Sequence, residues 1–346
     1  MTTNNRKINM EQTTQPPIDA AAKIAEFQRV FNGIKAQINR VFVGHDDLVR
    51  ETISAFLAGG HVLLEGVPGL GKTLLARTLS ESVNLKFSRI QFVPDLMPAD
   101  IIGTTVFVED EHGGHRLTFR EGPLVANFIL ADEINRASPK TQSALLEAMQ
   151  EQQLSVGDRT IALPQPFTVI ATQNPIEQEG TYPLPEAELD RFMIKVNLPY
   201  PREDEYHQIL ERTVGIVQER PDTVADGETV LHVRRTIREV IVSRQVQTYA
   251  IRLTMATQPG SPYAIPEVND WVVLGAGPRA AQALLLIAKT YALLAGRAHV
   301  ACEDIRAAAL PVLRHRISMN FEARAHKKST DEIINAIAAK ISELSA

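Results

Sequence analysis

The stretch HVLLEGVPGLGKTLLARTL, residues 61–79, decides the fold class. HVLLE reads as a short buried strand. GVPGLGKT at 66–73 fits the pattern G-x-x-x-x-G-K-[ST], and Leu75, Leu79 and Val83 then fall along one side of a helix. Strand, glycine-rich loop and helix in that order are what a phosphate-binding loop requires. Glycines 66, 69 and 71 let the backbone turn close to an anion and point N–H groups at it. The helix start adds the positive end of its dipole. The loop residues expected to hold a nucleotide are Gly66, Val67, Pro68, Gly69, Leu70, Gly71, Lys72, Thr73 and Leu74. Lys72 would reach the β and γ phosphates of ATP, and the Thr73 hydroxyl would hold Mg²⁺. An ordinary glycine-rich turn is the plain alternative, and the flanking strand and helix speak against it.

Working outward, NFILADEIN at 127–135 is a non-alternating apolar run closed by Asp132 and Glu133. Unpaired carboxylates at the edge of a core are costly, so the pair needs a purpose. Asp132 suits the magnesium shell; Glu133 suits orienting or deprotonating the attacking water. A hydrophobic run ending in two acids is common by itself and gains meaning from the loop upstream. Ser138 and Pro139 fit the cap and first turn of the next helix. A third run ends in VIATQNP, where the Asn174 amide would face the same crevice at the carboxyl ends of parallel strands. The bland alternative there is an Asn-Pro turn.

From Phe42 to about Tyr200, short apolar runs (HVLLE, FSRIQF, NFILA, FTVIAT) alternate with helical stretches, the rhythm of a parallel α/β sheet. Two hairpins interrupt it, at 103–121 around Gly113-Gly114 and at 152–163 around Gly157-Asp158. Past Pro201 the pattern is helical and strands disappear. The expected division is a polar, disordered arm at 1–18, an α/β nucleotide-binding domain at 19–200 and an all-α domain at 201–346. AAAKIAEFQRVFNGIKAQI, residues 20–38, opens the second of these as a helix.

The 346 residues carry a net charge of −5, which gives no electrostatic case for an obligatory nucleic-acid partner. Cys302 is the only cysteine, which excludes an intramolecular disulfide and a cysteine-based zinc site and fits a reducing compartment. No apolar run approaches the roughly 20 residues of a membrane helix. The beginning of the chain lacks the apolar stretch of a signal peptide. The expectation is cytoplasmic, without direct membrane insertion.

GPLVANFILADEINRASPKTQSALLEAMQE, then ATQNPIEQEGTYPLPEAELDRFMIKV, then GPRAAQALLLIAKTYALLAGR and VLRHR resemble the MoxR family of AAA+ ATPases. The likeness runs from about Phe42 to Arg316. It implies a P-loop AAA+ fold: a parallel five-stranded sheet with helices on both faces, then a C-terminal helical lid, closing into a homo-hexameric ring. It assigns Arg191 as an arginine finger for a neighbouring subunit's γ phosphate and Arg279 as the lid's phosphate sensor. It places VFVGHDDL at 41–48, with Val43 and Gly44, along the adenine pocket, and the hairpins on the pore or top of the ring. Clients or partners with von Willebrand factor A domains are a further implication. A permanent, planar guanidinium at Arg191 also suits charge building on phosphoryl oxygens; a surface pairing with Asp190 or Glu188 is the plain alternative. Arg136 is a third basic residue near the site, with structural pairing as its alternative.

Basic clusters at Arg234-Arg235-Arg238, Arg314-His315-Arg316 and His326-Lys327-Lys328 lack interleaved aromatics and read as solvated faces. His45, His112 and His115 do not form a metal set, and Trp271 reads as core or interface. Three functions fit: an ATPase remodelling protein clients, a DNA-translocating motor, and a nucleotide-regulated scaffold with little turnover. Glu109, Asp110 and Glu111 in the first hairpin disfavour the motor, and intact Glu133, Asn174 and Arg191 disfavour the scaffold.

Overall fold

The computed structural model describes residues 20–109, 115–157, 159–175, 180–214 and 219–341. The proposed arm at 1–18 and both hairpin tips named above (113–114 and, in part, 157–158) fall largely outside these residues. Strands β1 (Val62–Glu65), β2 (Phe87–Gln91), β5 (Phe128–Asp132), β8 (Thr168–Gln173) and β9 (Ile194–Asn197) form one parallel sheet in the order β2-β5-β8-β1-β9. Four of them grow from the four apolar runs quoted above. The hairpins are real: β3 (Gly103–Glu109) pairs with β4 (His115–Glu121), and β6 (Gln153–Val156) with β7 (Arg159–Ala162), both antiparallel.

Alternation along each strand divides the core. Val62, Leu64, Phe128, Leu130, Ile170, Ile194 and Val196 point into one layer. Leu63, Ile129, Ala131, Val169 and Ala171 point into the other. Buried on both faces, these strands read as continuous apolar runs. The first layer holds α1 (Ala20–Val41), α2 (Asp46–Ala58) and α3 (Lys72–Ser82); the second holds α4 (Pro98–Ile102) and α5 (Pro139–Glu151). On α3, Leu75, Leu79 and Val83 at its end are fully buried, the side that the spacing predicts.

After the four-residue α6 (Glu186–Leu189) and β9, the chain runs through α7 (Glu203–Val214), α8 (Gly227–Glu239), α9 (Arg244–Met255) and α10 (Pro266–Trp271). It ends in α11 (Pro278–Leu294), α12 (Cys302–Leu313), α13 (Phe321–Ala325) and α14 (Thr330–Lys340). Strands do not vanish here as expected: β10 (Val272–Leu274) and β11 (Ser318–Met319) pair antiparallel. Segments of three and two residues are too short to show a period. Helix α11 packs against α1 and α2 as well as α9 and α12, so one apolar core runs across residue 200. No helix among the described residues is long and apolar enough to cross a membrane.

Candidate active site

The register brings three strand ends to one edge. Glu65 lies beside Gln173, and Ala131 beside Ala171. The phosphate loop, Asp132 and Asn174 therefore leave the sheet together at its carboxyl edge, and Gly66 N–H donates to Gln173 O at 3.3 Å. Gly69 and Gly71 have φ of 86° and 85°, values that side chains tolerate poorly. Lys72 is buried, and its Nζ donates to Gly66 O at 2.5 Å, folded back on its own loop. Thr73 follows it in the first turn of α3.

Asp132 and Glu133 are held differently. Asp132 Oδ1 accepts from Thr172 Oγ1 at 2.7 Å, and its Oδ2 accepts from Arg89 Nη2 at 2.6 Å and Nε at 3.2 Å. Glu133 has φ 57° and ψ 50°, a left-handed backbone costing a non-glycine residue about 1–3 kcal/mol. Its N–H donates to Thr172 Oγ1 at 2.8 Å, while Oε2 accepts from Arg136 Nη1 at 2.9 Å and Gln91 Nε2 at 3.0 Å. Arg136 is thus a partner of Glu133. Asn174 is buried beside the same edge. Ser138 stands at the start of α5 with Pro139 in its first turn, but its hydroxyl meets Thr141 Oγ1 at 3.3 Å rather than a backbone amide. Ser138 is the cap residue by position, as its sequence context predicts, and Thr141 Oγ1 in turn donates to Leu96 O.

Beside the loop opens a cleft of about 830 Å³ lined by Phe42, Val43, Gly44, His45, Pro199 and Leu310 among others. The phosphate loop does not line it; Phe42 joins the two, since a Cβ on Gly71 would meet its ring at 3.1 Å. Gly44 needs to be glycine twice over: its φ is 73°, and a Cβ would lie 2.3 Å from Glu205 Oε1. Glu51, also on this wall, has its carboxyl pushed up to about 7 by burial, against the pull of Arg314 and Arg50.

The arginines lie elsewhere. Arg191 precedes β9, and Met193 N–H donates to His61 O, so this loop sits at the amino end of β1 and β9. Strand β1, about 13 Å long, separates it from the phosphate loop. Arg191 Nη1 donates to Leu146 O at 2.8 Å. The alternative pairing with Asp190 is not what forms: Asp190 Oδ1 accepts from Arg316 Nε at 2.7 Å, and its Oδ2 lies 3.8 Å from Arg279 Nη1. Arg191, Arg279, Gln150, Met193 and Leu286 line a second cleft of about 250 Å³. Lys72, Asp132 and Asn174 are therefore brought together, whereas Arg191 and Arg279 share the opposite face with one another.

The sequence from 61 to 194 matches the model for the ATPase family associated with various cellular activities (AAA), and 268–337 matches the AAA lid domain. The chain is 41% identical over 322 residues to chaperone MoxR1 of Mycobacterium tuberculosis, spanning 93% of this chain and 84% of that protein. The chain belongs to the MoxR family of AAA ATPases. It is 30% identical to protein MoxR of Methylorubrum extorquens, over 86% of this chain and 88% of that one. A crystal structure of a candidate ATPase from Cytophaga hutchinsonii is 40% identical, with a TM-score of 0.86 over 93% of this chain and 97% of that one. The MoxR-family chain is an ATPase with the α/β fold and helical lid of its relatives, and it binds nucleotide.

Nothing in the sequence marks Arg89 or Thr172 as residues of the site. Arg89 and Thr172 sit inside strand patterns that announce only burial. Arg316 is not on a solvated face, as its place beside Arg314 and His315 suggests, but buried, donating to Asp190, Phe192 O, Met193 O and Val312 O. His315 is buried too, its Nε2 on Phe192 O at 3.0 Å, and Arg314 pairs with Asp331 at 3.0 Å. The cluster is the clamp that ties the lid to the Arg191 loop. Arg234 likewise turns inward to Phe56 O and Thr168 Oγ1, while Arg235, Arg238 and His326-Lys327-Lys328 are exposed as read. Trp271 packs partly buried against the core.

Proposed function

We propose that this ATPase is Mg²⁺-dependent and works as a homo-hexameric ring whose active sites are completed between subunits. The observation that carries the proposal is the separation of Lys72, Asp132 and Glu133 from Arg191 and Arg279 by the length of the sheet. A chain cannot turn its own arginines onto its own phosphates, but a head-to-tail neighbour can present them, and a head-to-tail contact that closes makes a ring. In this reading both Arg191 and Arg279 act in trans.

The phosphate loop cradles the ATP phosphates, Val43 and Gly44 border its base, and Glu133 and Asn174 orient the attacking water. Thr73 and Asp132 would hold the magnesium ion, which neutralises charge on the phosphates. Oxygen donors suit this hard cation. Among the described residues no three His, Cys, Asp or Glu could hold a metal by themselves, which suits an ion that arrives with phosphate. Once Arg136 and Gln91 release it, Glu133 is free to face the water. In this reading residues 19–200 form the nucleotide-binding part and 201–346 the helical lid, the two sharing one apolar core.

The work done is chaperone-like remodelling of protein clients in the cytoplasm, in keeping with the relative named as a chaperone. The hairpins β3–β4 and β6–β7 are the client-facing elements, and von Willebrand factor A domain proteins are the proposed partners. Neither nucleic acid nor membrane insertion has a part. Steady-state ATP turnover per subunit, measured against protein concentration with Mg²⁺, tests the reading. Specific activity that climbs and saturates supports a site made between chains. Concentration-independent activity in a protein that sizes as a monomer contradicts it.

A further inference from the structure

Asp132 already has a positive partner. Arg89 lies on edge strand β2, paired in register with Leu130, and its guanidinium reaches over β5 to Asp132 Oδ2 through Nη2 (2.6 Å) and Nε (3.2 Å). Nη2 also donates to Gln91 Oε1 at 2.8 Å, which steadies the fork. Oδ1 is taken by the Thr172 hydroxyl. Asp132 is 8% exposed, whereas the Arg89 side chain is 47% exposed and has room to swing out. A metal on Oδ2 and a guanidinium on Oδ2 exclude each other, by occupancy and by like charge.

We infer that Arg89 is the resident counter-ion of Asp132, and that Mg²⁺–ATP displaces it where Mg²⁺ alone does not. The inference rests on the reading of Asp132 as a magnesium residue. A bare cation must oust a charge-assisted pair and gains one carboxylate and the Thr73 hydroxyl. Magnesium carried on ATP brings phosphate oxygens as further ligands. The same phosphates offer the freed guanidinium a partner that its planar fork fits bidentately. Arg89 is thus a positioning residue that keeps the empty site closed to cations and makes metal entry conditional on nucleotide. The plain alternative is a tie between β2 and β5 with no bearing on metal.

Mn²⁺ binding by the full chain without nucleotide, followed by the EPR signal of free Mn²⁺, separates the two. Wild type is expected to take up little Mn²⁺ until ADP is added. Arg89→Gln is expected to bind Mn²⁺ without nucleotide about tenfold more tightly, a gain that Asp132→Asn removes in the double variant. A folded Arg89→Gln chain that binds no better than wild type overturns the inference. If Arg89→Gln does not fold, Arg89→Met decides, because it keeps the aliphatic stem and loses the charge: tighter Mn²⁺ binding supports the inference and no gain overturns it. Asp132→Asn alone marks the other failure. Unchanged Mn²⁺–ADP affinity there removes Asp132 from the metal site, and the inference falls with it.

Discussion

The two edges of the central sheet differ in kind. At the carboxyl edge meet the loops proposed to bind phosphate: glycines at positive φ, a lysine turned in on its own loop, and Glu133 in a left-handed backbone. At the amino edge, Arg191 and Arg279 stand at an open cleft, and their loop is anchored by buried Arg316 and His315. The first edge has the phosphate loop, the residues proposed for metal and water, and Lys72, but neither Arg191 nor Arg279. The second has those two arginines and no phosphate loop. Half a site at each edge is what a chain needs if its partner is another copy of itself.

The largest effect expected is at the amino edge. Arg191→Ala should lower turnover by about 10³ to 10⁵ with ATP affinity little altered, measured by steady-state ATPase and nucleotide titration. At the carboxyl edge Glu133→Gln should cost about 10² to 10⁴ in turnover, the range for losing a general base, while ATP stays bound. ATP retained on that variant but not on Lys72→Ala would separate chemistry from binding. A Glu133→Gln chain of wild-type activity would remove Glu133 from the water.

Next comes the anchor of the arginine face. Arg316→Met leaves Asp190 without its main partner and removes a donor from the carbonyls of Asp190, Phe192, Met193 and Val312, and should cost about 3–5 kcal/mol in denaturant unfolding. A loss below 1 kcal/mol would mean that the lid does not hold the Arg191 loop.

The smallest effect is a difference in sign. Burial pushes the Glu51 carboxyl, beside the cleft lined by Val43 and Gly44, up to about 7 from its usual 4.5, so the folded chain binds more protons than the unfolded and stability falls as pH rises from 4.5 to 7. His61 beneath the arginine face is held down to about 4 by burial, so the unfolded chain binds the extra proton and stability rises from pH 4 to 6.5. Between about 4.5 and 6.5 the two oppose each other. Glu51→Gln should raise the melting temperature at pH 8, leave it nearly unchanged at pH 4.5, and steepen the rise that His61 supplies. Parallel pH profiles for wild type and variant would contradict this.

The same contrast governs what the sequence could tell. The carboxyl edge is legible because its residues follow their strands at fixed offsets: GVPGLGKT, DE and QN each sit where an apolar run stops. The amino edge is assembled from α5, the loop before β9 and the lid, so Arg191, Arg279 and Arg316 meet only through tertiary packing. No local period announces it, and only the family resemblance points to Arg191 and Arg279. Arg316 is not legible because a charge cluster near the end of a helix looks solvated whichever way it turns. Arg89 is not legible because a strand's pattern reports which face a residue is on, not how far a long side chain reaches. The short ribbon β10–β11 lay below the length at which alternation shows.

Mixing two disabled chains tests the central claim most directly. Arg191→Ala keeps an intact carboxyl edge, and Lys72→Ala keeps an intact amino edge. If sites form between chains, each variant alone is inactive, and an equal mixture regains roughly a quarter of wild-type turnover, the share of interfaces that pair two intact halves at random. A mixture no more active than its components, under conditions where the chains demonstrably co-assemble, would contradict the account.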